Sequence, residues 1–423
     1  MSNQFSARVE GLRELLEVIS PHVAVLDQPE GIATVIDRSG LSDDGKDAVK
    51  DLLLPPSEVH SEEADPDPDE IQEPLSPRKT VAQLKHVVRD EPGGLLRVLR
   101  RFNQGAIAPR ASLLHGSLLT VAVASFEFLL AGLYTQHLTT FPNQLKDDEK
   151  EFSLGDLAEI GSIDEARRVL IERRADGFMR RGLADWSRWS ERVLGYSFED
   201  ICLNYAHLNE MFQRRHLVVH SGGVVNRLYI ERVKDSDGEK PTLGQQIPVT
   251  ATYIQGALEE LEVLGYGIAA IAWAKWEPRN ADDALASLNS HIYDMLDSGS
   301  FISARKLSEV GSELPQPGIR RWMITVNGWI ASKKLGEFED CRSEVEAWDI
   351  TALANEFKLA RACLLDEVDE AFHLLQSVLA ESETKAGEVR EWPLLDDLRP
   401  DPRFEEIFRE AGYRPSSEAS EEP

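Results

Sequence analysis

Apolar residues recur at intervals of three and four along most of this chain, the spacing that places them on one face of an α-helix. Val9, Leu12, Leu15, Leu16 and Ile19 define such a face within residues 5–54. A second helix in that unit is predicted to begin at the Ser42 cap, to run through Ala48, Val49 and Leu52, and to stop at Pro55-Pro56. Long helices are predicted over 80–102 with a break at Pro92-Gly93-Gly94, and over 112–138, 163–181, 183–194 and 252–276. Residues 197–220 follow, with a helix over 203–211, and end before a double glycine. After it, 224–230 has β-branched and aromatic character, Asp235 to Gly238 supplies turn chemistry, and 246–252 reads as a returning strand. The expected fold is therefore mainly α, with a small β-hairpin insertion.

Composition breaks this pattern at one place. Residues 57–74 hold Glu58, Glu62, Glu63, Asp65, Asp67, Asp69, Glu70 and Glu73 with no Lys or Arg, and 57–78 is too poor in apolar groups to fold. It is read as an acidic disordered linker. This gives a small helical unit over 1–56, the linker, a helical domain over 79–278, a helical repeat domain over 279–413, and a disordered tail over 414–423. In the repeat domain, Phe301, Phe338 and Val368 each stand three positions before a small residue (Ala304, Cys341, Ala371), at spacings of 37 and 30 residues. Such units are similar to tetratricopeptide paired helices, in which the small residue lets two helices approach closely. Leu398 to Glu410 looks like a capping helix.

The formal charge of −28 argues against nonspecific coating of nucleic acid. Two basic stretches run against it: Arg78, Lys79, Lys85, Arg89, Arg97, Arg100, Arg101 and Arg110, then a cluster from Arg167 to Arg192 interleaved with acids. Both are read as solvated helix faces that also admit an RNA-guiding role. Cys202, Cys341 and Cys363 are far apart and form no metal-binding pattern, so no metal and no cofactor is expected. The apolar stretch 117–133 is interrupted by Glu127 and falls short of the roughly 20 residues that cross a bilayer. It is read as a core helix. Residues 1–10 lack the apolar centre of a secretory signal, so a cytoplasmic protein without a membrane partner is expected.

Phosphate-loop, metalloprotease and nucleophile-elbow signatures are missing. Gly265-Tyr266-Gly267-Ile268-Ala269-Ala270 matches a dinucleotide pattern by letters, but it sits in a helical run with no preceding strand and is read as close helix packing. The remaining chemistry lies in Arg214-Arg215-His216-Leu217-Val218-Val219-His220-Ser221-Gly222-Gly223. A guanidinium holds phosphate oxygens as a planar fork, and an imidazole exchanges protons near neutral pH.

Arg215-His216-Leu217-Val218-Val219-His220 resembles the Arg-polar-x3-His motif of the HEPN superfamily, which includes many prokaryotic ribonucleases of toxin and antiviral systems. The continuation to Asn226 and the helix 203–211 before it are also similar to HEPN proteins, and the resemblance covers about residues 105–276. It implies an HEPN-like helical bundle, a homodimer and metal-independent endoribonuclease activity on RNA through attack by the ribose 2′-hydroxyl. Arg215 would bind the scissile phosphate and His220 would take or give the proton. Arg214 is expected to contact flanking phosphate and His216 to orient a neighbouring group. Asn226 and Glu127 are supporting candidates, Asn226 open to being only a turn cap and Glu127 to being only a partner of Arg215.

Five residues of helix rotate by about 500°, which leaves Arg215 and His220 roughly 140° apart. Either the helix loosens near Gly222-Gly223, or a second copy completes the site. The resemblance favours a composite dimer site in a phage-defence effector or toxin. The competing expectation is a non-catalytic protein in which the HEPN domain dimerises and residues 279–413 bind a protein partner.

Overall fold

The computed structural model describes residues 2–26, 36–37, 41–53, 89, 110–145, 152–233, 241–314, 318–381 and 386–413. The acidic linker, nearly all of the first basic stretch, the helix expected over 80–102, the turn at 235–238 and the tail from 414 lie outside them.

The described residues form helices and connecting turns. The first is α1 (Ser2–Leu26), followed by α2 (Asp43–Leu53), α3 (Arg110–Thr140), α4 (Leu154–Ile160), α5 (Ile163–Met179) and α6 (Leu183–Leu194). Next come α7 (Phe198–Ile201), α8 (Tyr205–Ser221), α9 (Arg227–Arg232) and α10 (Ala251–Trp276). The paired-helix region contains α11 (Ala281–Asp297), α12 (Phe301–Glu313), α13 (Ile319–Lys334), α14 (Glu339–Ala347), α15 (Asn355–Leu364) and α16 (Val368–Glu381). It closes with α17 (Ala386–Arg390) and α18 (Pro402–Glu410).

Two helices make the spine. α3 is 31 residues long, longer than the apolar stretch read in it, and by length and composition it is apolar enough to cross a bilayer. Its Leu119, Val123, Phe126 and Leu130 are fully covered by protein, as expected of a core helix. α10 lies against it with Ile254, Leu261, Leu264 and Ile268 buried in the same core.

That core also takes in Phe5, Val9, Leu12 and Leu16 of α1, so the first helix packs into the bundle and does not form a unit apart. Arg13 reaches Glu262 of α10 at 2.6 Å, and the ring of His115 in α3 lies 2.8 Å from the Ser20 hydroxyl and 3.0 Å from the Val249 carbonyl. The carbonyl can only accept, so Nδ1 carries the proton and Nε2 accepts from the serine.

The core continues through the boundary expected at 278–279. Ala281, Leu285, Leu288 and Ile292 of α11 belong to it, and so do Leu307 of α12 and Ile324 of α13, because the apolar face of α11 packs directly on α10. A second core, built from Leu359, Phe372, Leu375, Leu395, Phe404 and Phe408, closes the carboxyl end.

Gly265 and Gly267 are packing residues, as the sequence suggested. A Cβ at Gly265 would lie 2.4 Å from the Phe5 ring, and one at Gly267 would lie 2.5 Å from Ile201 Cγ2. Gly265→Ala is expected to push α1 off α10 and to destabilise the fold by about 1–3 kcal/mol. Urea unfolding measures this, and an unchanged midpoint would contradict the packing of α1.

The β-hairpin is corrected. Among the described residues the two segments meet in a single antiparallel bridge, Val224 to Gln246, flanked by Val225 N–H to the Gln245 carbonyl at 2.9 Å and Ile247 N–H to the Gly223 carbonyl at 3.0 Å. The strand expected over 224–230 stops after two residues because Asn226 starts α9: its side chain accepts from Tyr229 N–H at 2.9 Å, an N-cap geometry.

Candidate active site

α8 carries the motif, and both of its ends are fixed. At its start Asn204 caps the helix, while the buried Glu260 carboxylate of α10 accepts from the Leu203 and Asn204 amides at 2.8 and 3.1 Å. A carboxylate there satisfies orphan donors and complements the positive end of the helix. Midway, Leu208 and Met211 are buried, and Phe212 meets Phe126 and Trp186 edge-on. Gly116 of α3 lets Val218 approach: a Cβ there would lie 3.0 Å from Val218 Cγ1. At the end, Gly222 takes φ 57° and Gly223 φ 83°, and the Gly223 amide closes on the Leu217 carbonyl at 3.1 Å. That left-handed turn is why a double glycine follows the motif.

The helix remains regular through Ser221, so it does not loosen to bring Arg215 and His220 together. The motif is split between two faces. Arg215 turns toward α3, where Nη2 donates to Glu127 Oε2 at 2.6 Å, while its buried Nε has no partner among the described residues. His216 and His220 are exposed one turn apart, with ring centroids 4.5 Å from each other and planes tilted by 49°.

Glu127 is therefore the partner of Arg215 that the sequence allowed for. Burial pushes its carboxyl above the ordinary value of 4.5, and the Arg215 charge opposes that rise without cancelling it. The native state keeps this proton to higher pH than the unfolded chain does. Its contribution to stability is thus full at low pH and is lost as pH rises from about the unfolded value through the raised native one. Glu127→Gln is expected to remove that part of the pH dependence of urea unfolding, and an unaltered profile would contradict the assignment.

Arg214 is not where a flanking-phosphate contact needs it. Its guanidinium lies 4.0 Å from the Tyr253 ring centre, donates to Glu210 Oε1 at 2.7 Å and reaches the Pro248 carbonyl at 3.2 Å. Glu210 also accepts from the Tyr253 hydroxyl at 2.6 Å and from the Tyr229 hydroxyl. Burial and the Glu210 charge raise both phenols, Tyr253 well above its ordinary value, so both remain donors. This buried cluster ties α8 to α9 and α10. Asn226 is likewise structural, the cap of α9.

Four arginines of the second basic cluster pair along their own helices, Arg167 with Asp164, Arg168 with Glu165, Arg180 with Asp176 and Arg188 with Asp185. Around the histidines the balance differs. Arg232 of α9 lies alongside, its Nη1 donating to Gln213 Oε1 at 3.0 Å. Burial, His220, Arg232 and Arg215 together hold the His216 imidazole below its ordinary pKa. Sequence reasoning missed Arg232, Gln213 and the Glu210 cluster, whose roles arise from contacts between helices.

No group of His, Cys, Asp and Glu among the described residues has the arrangement of a metal site. Cys202 and Cys363 are buried and their thiols are pushed up to about 12, so neither is a nucleophile at neutral pH. No protein-family model matches this chain, and no curated protein or solved structure is significantly similar to it.

Proposed function

We propose that this chain is a metal-independent endoribonuclease of the HEPN type, acting as a cytoplasmic homodimer in phage defence or as a toxin. The observation that carries this reading is the pair of exposed imidazoles on α8, set beside Arg232 in a chain whose net charge is −28. A local cation such as Arg232 on an acidic protein attracts a phosphodiester to one place rather than coating the whole surface.

In this reading the ribose 2′-hydroxyl attacks phosphorus, His220 moves the proton, and a 2′,3′-cyclic phosphate forms. Arg215 stabilises the growing charge from across a two-fold axis, since within one protomer it faces Glu127. Val219, 50% exposed, lies between the Arg215 and His216 faces of α8 and supplies apolar surface for a second copy. Expression of the wild type should arrest growth and degrade RNA, whereas His220→Ala should do neither; equal toxicity of the two would sink the proposal. For the composite site, mixing inactive Arg215→Ala and His220→Ala proteins should restore cleavage, because a mixed dimer regains one intact site. Mixtures as inactive as their components would remove the dimer from the mechanism.

The paired helices supply a second reading, a tetratricopeptide-like scaffold that binds a protein partner. A cavity of about 330 Å³ lined by Tyr293, Met323, Phe357 and Trp392 favours it. In the enzyme the same surface would dock a partner that regulates cutting.

A further inference from the structure

We propose that Arg232 and His216 form, with His220, a phosphodiester subsite on one face of a single protomer, in which His216 is the general base, His220 the general acid and Arg232 the ligand of the non-bridging oxygens. The proposal rests on the ribonuclease reading for its chemistry, while its phosphate-binding part stands on geometry alone.

Gln213, His216 and His220 follow each other at intervals of three and four, so they share one face of α8. That face is turned roughly 140° from Arg215 of the same helix, so in the dimer the Arg215 that joins Arg232 at this site comes from the second copy. The turn at Gly222-Gly223, the Val224 bridge and the Asn226 cap fold α9 back along it, and the Gln213 side-chain carbonyl, on the face of α8 that carries His216 and His220, accepts from the Arg232 guanidinium. A guanidinium fixed by one bond keeps further N–H groups for an anion. The sequence separates Arg232 from His216 by sixteen residues, which is why the motif alone does not reveal it.

The groups acting on His216 are His220 and Arg215 of its own helix and Arg232 of α9; Glu127 of α3 lies behind the Arg215 guanidinium. With partial burial they favour the neutral ring, the form a base needs. Two close imidazoles of which one is kept neutral give an acid–base pair. The 2′-hydroxyl proton passes to His216 as the bond from O2′ to phosphorus forms. The bond from phosphorus to O5′ breaks, and the leaving oxygen takes its proton from His220. The products are a 2′,3′-cyclic phosphate and a 5′-hydroxyl, and no co-reactant is required.

Two measurements on the full chain test this. First, the dinucleotide d(UpA), which lacks the attacking hydroxyl, is titrated while the histidine Cε1–H resonances are followed. Saturable shifts of both His216 and His220, weakened about tenfold in Arg232→Gln and partly restored in Arg232→Lys, are expected. Resonances that stay still, or equal affinity in Arg232→Gln, would overturn the subsite whatever the cleavage assay shows.

Second, the pH–rate profile of RNA cleavage should be bell-shaped. His216→Gln should lose its rising limb and about 10²–10⁴-fold in rate. His220→Gln should recover on a substrate with sulfur at the 5′-bridging position, because a thiolate leaves without a general acid; His216→Gln should not recover. A His216→Gln protein with the wild-type profile would overturn the role split. Binding of d(UpA) without any RNA cleavage would instead remove the ribonuclease reading and leave the phosphate subsite standing.

Discussion

Replacing His220 by alanine is expected to lower RNA cleavage by about 10²–10⁴-fold while leaving the fold intact. The ring is exposed on α8, whose buried positions are Leu208, Glu210, Met211 and Leu217. A group that moves a proton in the transition state affects the chemical step, so kcat should fall more than KM rises. Circular dichroism and urea unfolding of the variant should overlay the wild type. A variant that unfolds early would mean that the loss of cutting reports on structure, and a variant that cuts at the wild-type rate would take His220 out of the mechanism.

Glu210→Ala should have the largest effect on stability of any change near the site. Its carboxylate is buried and receives Arg214, Tyr229 and Tyr253 at once. Removing it leaves a guanidinium and two phenols without their acceptor in a covered space. Breaking a buried charged pair in this way costs about 3–5 kcal/mol. The loss should appear as a lower urea midpoint, and cleavage should weaken with it, because α9 and Arg232 are held to α8 through Tyr229. Arg214→Met, which keeps much of the side-chain volume but still strands the carboxylate, should destabilise as well. Stability equal to wild type in Glu210→Ala would mean that the cluster does not hold these helices together.

The helices were legible because burial on one face demands periodic apolar residues. The boundaries expected at 183–194 and 252–276 fall within a residue of those found. The histidines and arginine of the motif were legible as types, and the rotation of the helix already separated Arg215 from His220. What the sequence hid depends on contacts between distant segments. Glu210 reads as one more charged residue of a polar helix until Tyr229 and Tyr253 are folded onto it.

Arg232 is similar, for only the turn at Gly222-Gly223 brings it beside His216. The failed hairpin had a local cause: Val224 and Val225 suggested a strand, while Asn226, among the strongest N-cap residue types, was the signal that decided. The core running on past Pro278 was hidden for a different reason. A proline ends α10, but the apolar face of α11 resumes at Ala281 and packs against the helix just completed.

The termini of cleaved RNA test the proposed ribonuclease most directly. Purified wild-type protein incubated with RNA in EDTA should produce 2′,3′-cyclic phosphate and 5′-hydroxyl termini, and His220→Ala prepared in parallel should leave the RNA whole. Cleavage that EDTA abolishes, or products bearing 3′-hydroxyl and 5′-phosphate ends, would contradict attack by the 2′-hydroxyl and with it the role assigned to α8.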